Sequence, residues 1–166
     1  MKIAYTHLVQ HIEENPTIKQ ISDSFFQLGH EHEIHDGIFD MDFTPNRGDC
    51  LSLNGLLRDL AVFYTVNLNQ EIFTEKLEDL KIDFNNLSKS ICPKISFLKL
   101  EIENVPEIYK DSLNDYFADL GLNKNNFFTD ISNYLSYETG QPTHCYDAEL
   151  VKGNLIFKEL NEDKEF

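Results

Sequence analysis

The stretch Phe39-Asp-Met41-Asp-Phe43-Thr44-Pro45-Asn46-Arg47-Gly48-Asp49-Cys50-Leu51-Ser52-Leu53-Asn-Gly55-Leu56-Leu57-Arg58-Asp59-Leu60-Ala61 decides the fold class. Phe39, Met41 and Phe43 alternate with Asp40 and Asp42, the period of two that marks a half-exposed strand. Thr44 to Asp49 is a dense run of turn formers. Leu53, Leu56, Leu57, Leu60, Ala61 and Tyr64 then fall at helical spacing, with Ser52 as the N-cap. Strand, turn and helix follow one another here, and no regular βαβ alternation appears elsewhere. An α+β fold of two small mixed modules is expected.

Working outward, Leu8, Val9 and Ile12 mark a first helix that Asn15-Pro16 stops. A second helix starts at Thr17 with Gln20 three residues on, the capping-box pattern. It buries Ile18, Ile21, Phe25 and Leu28, and Gly29 closes it. From about residue 66 to 92 the pattern weakens, and Asn85-Asn86 reads as a turn or linker. The modules are therefore placed at residues 1–85 and 90–166. In the second, Leu98, Leu100 and Ile102 alternate with charged residues as a strand would, and Pro106 suits the first turn of a helix. That helix buries Leu113, Tyr116, Phe117 and Leu120 and ends at Gly121. A short helix carries Ile131, Tyr134 and Leu135 up to Gly140, and Leu155 to Phe157 begins a last strand before the tail Asn161 to Phe166.

Composition sets the class. In 166 residues, 14 Lys and Arg face 29 Asp and Glu, a net charge of −15. That balance excludes a chain-wide basic surface for phosphates and argues against docking on an anionic membrane. Thirteen Phe and seven Tyr are enough to build a core, unlike a disordered acidic chain. Three widely spaced cysteines form no disulfide framework, and the acidic start carries no secretory pattern. No apolar run reaches the roughly 18 residues of a membrane span. A cytoplasmic protein is expected.

Three clusters carry chemistry. In GHEHEIH, His30 and His32 point the same way on an extended chain, so a metal site is conceivable; the favoured reading is a polar connection with solvated histidines and no metal. In TPNRGDC, Pro45 and Asn46 shape a turn, Gly48 permits a positive φ, and Asp49 can accept N–H groups near the next helix. Arg47 can clamp a carboxylate or phosphate, or hold the turn through a buried ion pair. The third runs from Asp130 to Asp147, where Ser132 and Asn133 precede a Gly140-Gln141-Pro142 turn and His144. A Ser–His–Asp triad is possible on residue types, but no GxSxG elbow surrounds Ser132 or Ser136. Cys145 and His144, adjacent in an extended chain, point to opposite faces and make a poor nucleophile pair.

FTPNRGDCLSLNGLLRDLA (43–61) together with NNFFTDISNYLSYETGQPTHCYD (125–147) resembles the bacterial phenylalanyl-tRNA synthetase β subunit. MKIAYTHLVQHI at the start, LGHE at 28–31 and ICPK at 91–94 match in the same order. The resemblance implies a cytoplasmic heterotetramer of two α and two β subunits that joins phenylalanine to tRNA with ATP and magnesium. It places the synthetic site on the α subunit, so this chain would bind neither cofactor. It gives the β subunit an editing domain that hydrolyses mischarged tyrosyl-tRNA. By position, Ser132, Asn133 and His144 would line that pocket and bond the substrate or an attacking water, with Gln141 and Pro142 structural. Family members usually carry an oligonucleotide-binding-fold insertion after the GHE-like segment; here the TPNRGD turn follows within about a dozen residues, so that module is absent. The chain reads as the amino-terminal part of a longer β subunit, stopping inside the editing domain and inactive alone. Rival readings are a non-catalytic interaction module derived from the β subunit and a free-standing editing hydrolase.

Overall fold

A computed structural model describes residues 1–68, 74, 76, 78–160 and 162. Part of the expected linker, and the tail from Asn161 apart from Glu162, lie outside the described residues. The fold is α+β, in two compact units: Met1–Glu71 with Val105–Cys145, and Ile72–Asn104 with Tyr146–Phe166. This division differs from the one read from composition, because the helical segment 105–145 packs with the amino-terminal elements.

The first unit opens with strand β1 (Lys2–Ala4), helix α1 (Tyr5–Val9) and helix α2 (Ile18–Gln27). The Thr17 hydroxyl accepts from Gln20 N–H at 3.3 Å and the Gln20 side chain accepts from Thr17 N–H at 2.8 Å, so the capping box is complete. Gly29, at φ 80°, ends α2, and His30 N–H reaches back to the Phe25 carbonyl at 2.9 Å. Strands β2 (Glu31–His35) and β3 (Ile38–Asp42) form a two-residue hairpin. Asp36 and Gly37 both take positive φ, 49° and 82°, the backbone of a type I′ turn. The polar connection expected at GHEHEIH is therefore a strand, and its Asp-Gly turn was the signal for it. β3 lies between β1 and β2 in an antiparallel sheet.

Ile3, Phe39 and Met41 of the sheet meet Leu8, Ile21, Phe25, Leu53, Leu56, Leu57 and Leu60 in one core. Each such side chain is worth about 1.5–3 kcal/mol of burial. Ile12 is buried too, but in a bridge to Val66 beyond the end of α1. After β3 a 3-10 turn (Gly48–Cys50) leads to helix α3 (Leu53–Leu60), whose Ser52 cap accepts from Gly55 N–H at 3.0 Å. Gly48 does not use a positive φ. Gly55 is the glycine with no alternative, because a Cβ there would stand 2.1 Å from the Asp49 carbonyl oxygen.

Helices α4 (Asp111–Asp119) and α5 (Phe127–Thr139) complete this unit around Tyr109, Tyr116 and Phe117. The expected helix start at Pro106 is displaced to Asp111. α5 is longer than expected; Asn126 caps it and Gly140, at φ 74°, ends it.

The second unit is held by a parallel pair, β4 (Phe84–Asn86) and β5 (Leu155–Phe157). Asn85-Asn86, read as linker, is strand because β5 supplies a ladder from 71 residues away. Residues 98–103 form no strand: Leu98, Leu100 and Ile102 are exposed, and alternation without a hydrogen-bonding partner makes no ladder. Among the described residues this unit buries no apolar side chain, only Ser88, whose hydroxyl accepts from Glu159 N–H at 2.8 Å.

Candidate functional site

The first polar site lies where the 3-10 turn meets α3. Asp59, near the end of α3, is its hub. Its Oδ2 accepts from Arg47 Nη2 at 2.5 Å and lies 3.0 Å from His30 Nε2. Oδ1 accepts from Arg58 Nη2 at 3.0 Å. Arg47 also bonds Asp49 through Nε and Nη2, at 3.1 and 3.2 Å, and Arg58 bonds Asp49 as well. Of the two readings of Arg47, the ion pair is the one built here. Asp49 binds arginine side chains rather than capping the helix.

Burial works against ionisation of Asp59, but the bonds from Arg47, Arg58 and His30 overcome it and hold the carboxyl far below its usual range. The Arg47 hydrogen bond leads in lowering Asp49 to about 2. Burial, then the neighbouring Asp59, pushes the Cys50 thiol up to about 12, which makes it a poor nucleophile near neutrality.

His30 is buried against Phe25 and Phe43 rather than solvated, because its ring fills the space between α2 and the turn. His32 packs on Phe25 and Phe39 and bonds the Ser22 hydroxyl at 2.7 Å, whereas His35 pairs with Glu33 on the surface. The three histidines thus have separate partners. His30, Cys50 and Asp59 do bring three donor atoms within 4.8 Å of one another. Arg47 Nη2 lies 2.8 Å from Cys50 Sγ and bonds Asp59, so a guanidinium already supplies the positive charge there.

The second site is α5 with the turn after it. Ser132 Oγ donates to the Thr143 carbonyl at 2.5 Å and lies 2.9 Å from the Thr143 hydroxyl, tying the Gln141-Pro142 turn to the helix. The Ser136 hydroxyl donates to the Gln141 carbonyl at 3.2 Å. Asn133 is exposed on α5, and Gln141, Pro142 and His144 are exposed beyond it. Sequence reasoning gave no role to Asp130, fully buried two residues before Ser132. It accepts from the Tyr109 hydroxyl at 2.7 Å and from Asn125 N–H at 3.0 Å, and so fixes where α5 begins.

A family model described as the B3/4 domain matches residues 96–166. The phenylalanine–tRNA ligase beta subunit of Wolbachia sp. subsp. Brugia malayi is 29% identical over 167 residues, covering 93% of this chain. The beta subunits of Rickettsia felis and Bartonella henselae are 32% and 34% identical, each over 74% of this chain. The chain belongs to the phenylalanine–tRNA ligase beta-subunit family. The chain spans about a fifth or less of these relatives, 21%, 15% and 16% of their lengths. An alignment over 167 residues that covers 93% of this chain leaves no room for a domain-sized insertion. The short form expected from the spacing between GHE and TPNRGD thus has a counterpart in that relative. Among the described residues, no helix is long and apolar enough to cross a membrane.

Proposed function

We propose that this chain is a scaffolding portion of a phenylalanine–tRNA ligase β subunit that carries part of an editing site. The observation that carries the reading is similarity to β subunits along 93% of the chain. In this reading the whole enzyme is a cytoplasmic heterotetramer of two α and two β subunits. It joins phenylalanine to tRNA with ATP and magnesium at a site on the α subunit. The trio His30, Cys50 and Asp59 includes a thiol and an imidazole, a donor set that does not fit magnesium, which takes oxygen ligands. No step of ATP chemistry is therefore assigned to this chain.

Editing would remove tyrosine by ester hydrolysis with a positioned water. Asn133 and His144 supply hydrogen-bonding side chains for the substrate or that water, and Ser132 holds the turn that presents His144. The exposed apolar side chains of the second unit support a role inside a larger assembly, and a charge of −15 suits scaffold better than tRNA surface. The isolated chain would neither charge nor edit.

The test is a chimera in which this chain replaces the matched segment of the Wolbachia β subunit, co-expressed with the α subunit of that organism. Charging with phenylalanine and clearance of Tyr-tRNA are expected, with His144→Ala reducing clearance and sparing charging. A soluble chimera that does not join the α subunit would contradict the proposal.

A further inference from the structure

His7, on α1, is 95% buried and faces the α4–α5 pair across the first unit. Its Nδ1 is 2.7 Å from the Tyr137 hydroxyl on α5. Burial and the nearby Asp119 raise the Tyr137 phenol well above its ordinary value, although a bond from the Ala4 backbone opposes them. Nε2 faces the Asp119 carboxylate, which would repel a lone pair, so the neutral ring carries its proton there and Nδ1 accepts from the Tyr137 hydroxyl. Nε2 is buried, forms no well-made hydrogen bond, and lies 3.3 Å from Asp119 Oδ2. That carboxylate is already engaged, since its Oδ2 accepts from the Thr6 hydroxyl at 2.6 Å.

We propose that His7 is a proton-operated latch that holds α5 against the amino-terminal elements when its ring is neutral and loosens it when the ring is charged. A proton added at Nδ1 removes the acceptor of the Tyr137 O–H bond. The phenol oxygen can turn to accept from Nδ1–H, but its own proton then loses the ring acceptor at a half-buried position. The other charged or titratable groups around the ring decide the sign. Asp115 and Asp119 on α4 favour the charged ring, and Tyr116 and Tyr134, beside Tyr137, are raised above their ordinary values by burial and stay neutral. Desolvation by burial outweighs the two carboxylates and lowers the His7 pKa below 6.5. A folded-state pKa below the unfolded one means that stability is present above 6.5 and lost as pH falls through that range. Because α5 carries Ser132 and Asn133, the latch also sets where those groups stand.

The experiment is a histidine NMR titration of the full chain, with melting temperatures at pH 7.5 and 5.5 for wild type and His7→Gln. Expected are a His7 midpoint below 6.5 and a larger acid loss of melting temperature in wild type than in the variant, the other five histidines being common to both. A midpoint at or above 6.5, or equal losses, overturns the latch. Tyr137→Phe, which removes the hydrogen bond that favours the neutral ring, should raise the His7 midpoint. An unchanged or lower midpoint in that variant overturns the proposal as well.

Discussion

Replacing Asp59 by asparagine keeps the side chain's shape and removes its charge, which isolates what the turn cluster contributes. Asp59 is only 13% exposed and serves Arg47, Arg58 and His30 at once. Removing one partner of a buried ion pair costs about 3–5 kcal/mol. Arg47 is 31% exposed and Arg58 is 52% exposed, so water recovers part of that, and about 2–4 kcal/mol is expected. For a chain of this size each kcal/mol moves the melting temperature by roughly 2–4 °C, which puts the loss on the order of 10 °C. Thermal melts followed by circular dichroism at pH 7 measure it.

The pH dependence is a second check on the same variant. The folded-state pKa of Asp59 is depressed, so its contribution is present above the ordinary value of 3.8 and is lost as pH falls below it. The gap between wild type and Asp59→Asn should narrow there by up to about 1.4 kcal/mol per pH unit. A variant that melts with wild type at pH 7, or a gap that does not narrow in acid, would refute this role for Asp59.

Three further outcomes follow from the packing. Gly55→Ala should cost several kcal/mol, on the order of overpacking penalties or more, since its Cβ would meet the Asp49 carbonyl oxygen at 2.1 Å; urea titration reads this directly. Asp130→Ala leaves the Tyr109 hydroxyl and Asn125 N–H without their acceptor, at about 1–3 kcal/mol each, and the Tyr109→Phe background should recover part of the loss. In native protein at pH 8 a thiol reagent should modify exposed Cys145 well before buried Cys50, whose thiol is raised to about 12; mass spectrometry of the labelled peptides settles the order.

Local chemistry made much of this fold legible. Thr17 with Gln20, Ser52 before α3, and the glycines after α2 and α5 all act through neighbours within a few residues, so their roles are written in the sequence. Asp36-Gly37 is equally local, a two-residue pair at positive φ that joins β2 to β3. What could not be read is what depends on distant partners. β4 is a strand because β5 pairs with it, whereas residues 98–103 show better alternation and pair with nothing described. His30 is buried because Asp59, 29 residues on, meets it, and His7 because Tyr137, 130 residues on, does. The candidate editing residues divide in the same way. Position placed Ser132, Asn133 and His144 on one helix and turn, but it did not reveal that Ser132 is engaged with Thr143.

If Ser132, Asn133 and His144 belong to an editing pocket as proposed, they need the rest of a β subunit to act. The most direct measurement is hydrolysis of Tyr-tRNA by the purified 166-residue chain. Release of tyrosine no faster than in buffer is expected, with His144→Ala indistinguishable from wild type. Catalysed release that disappears in His144→Ala would contradict it.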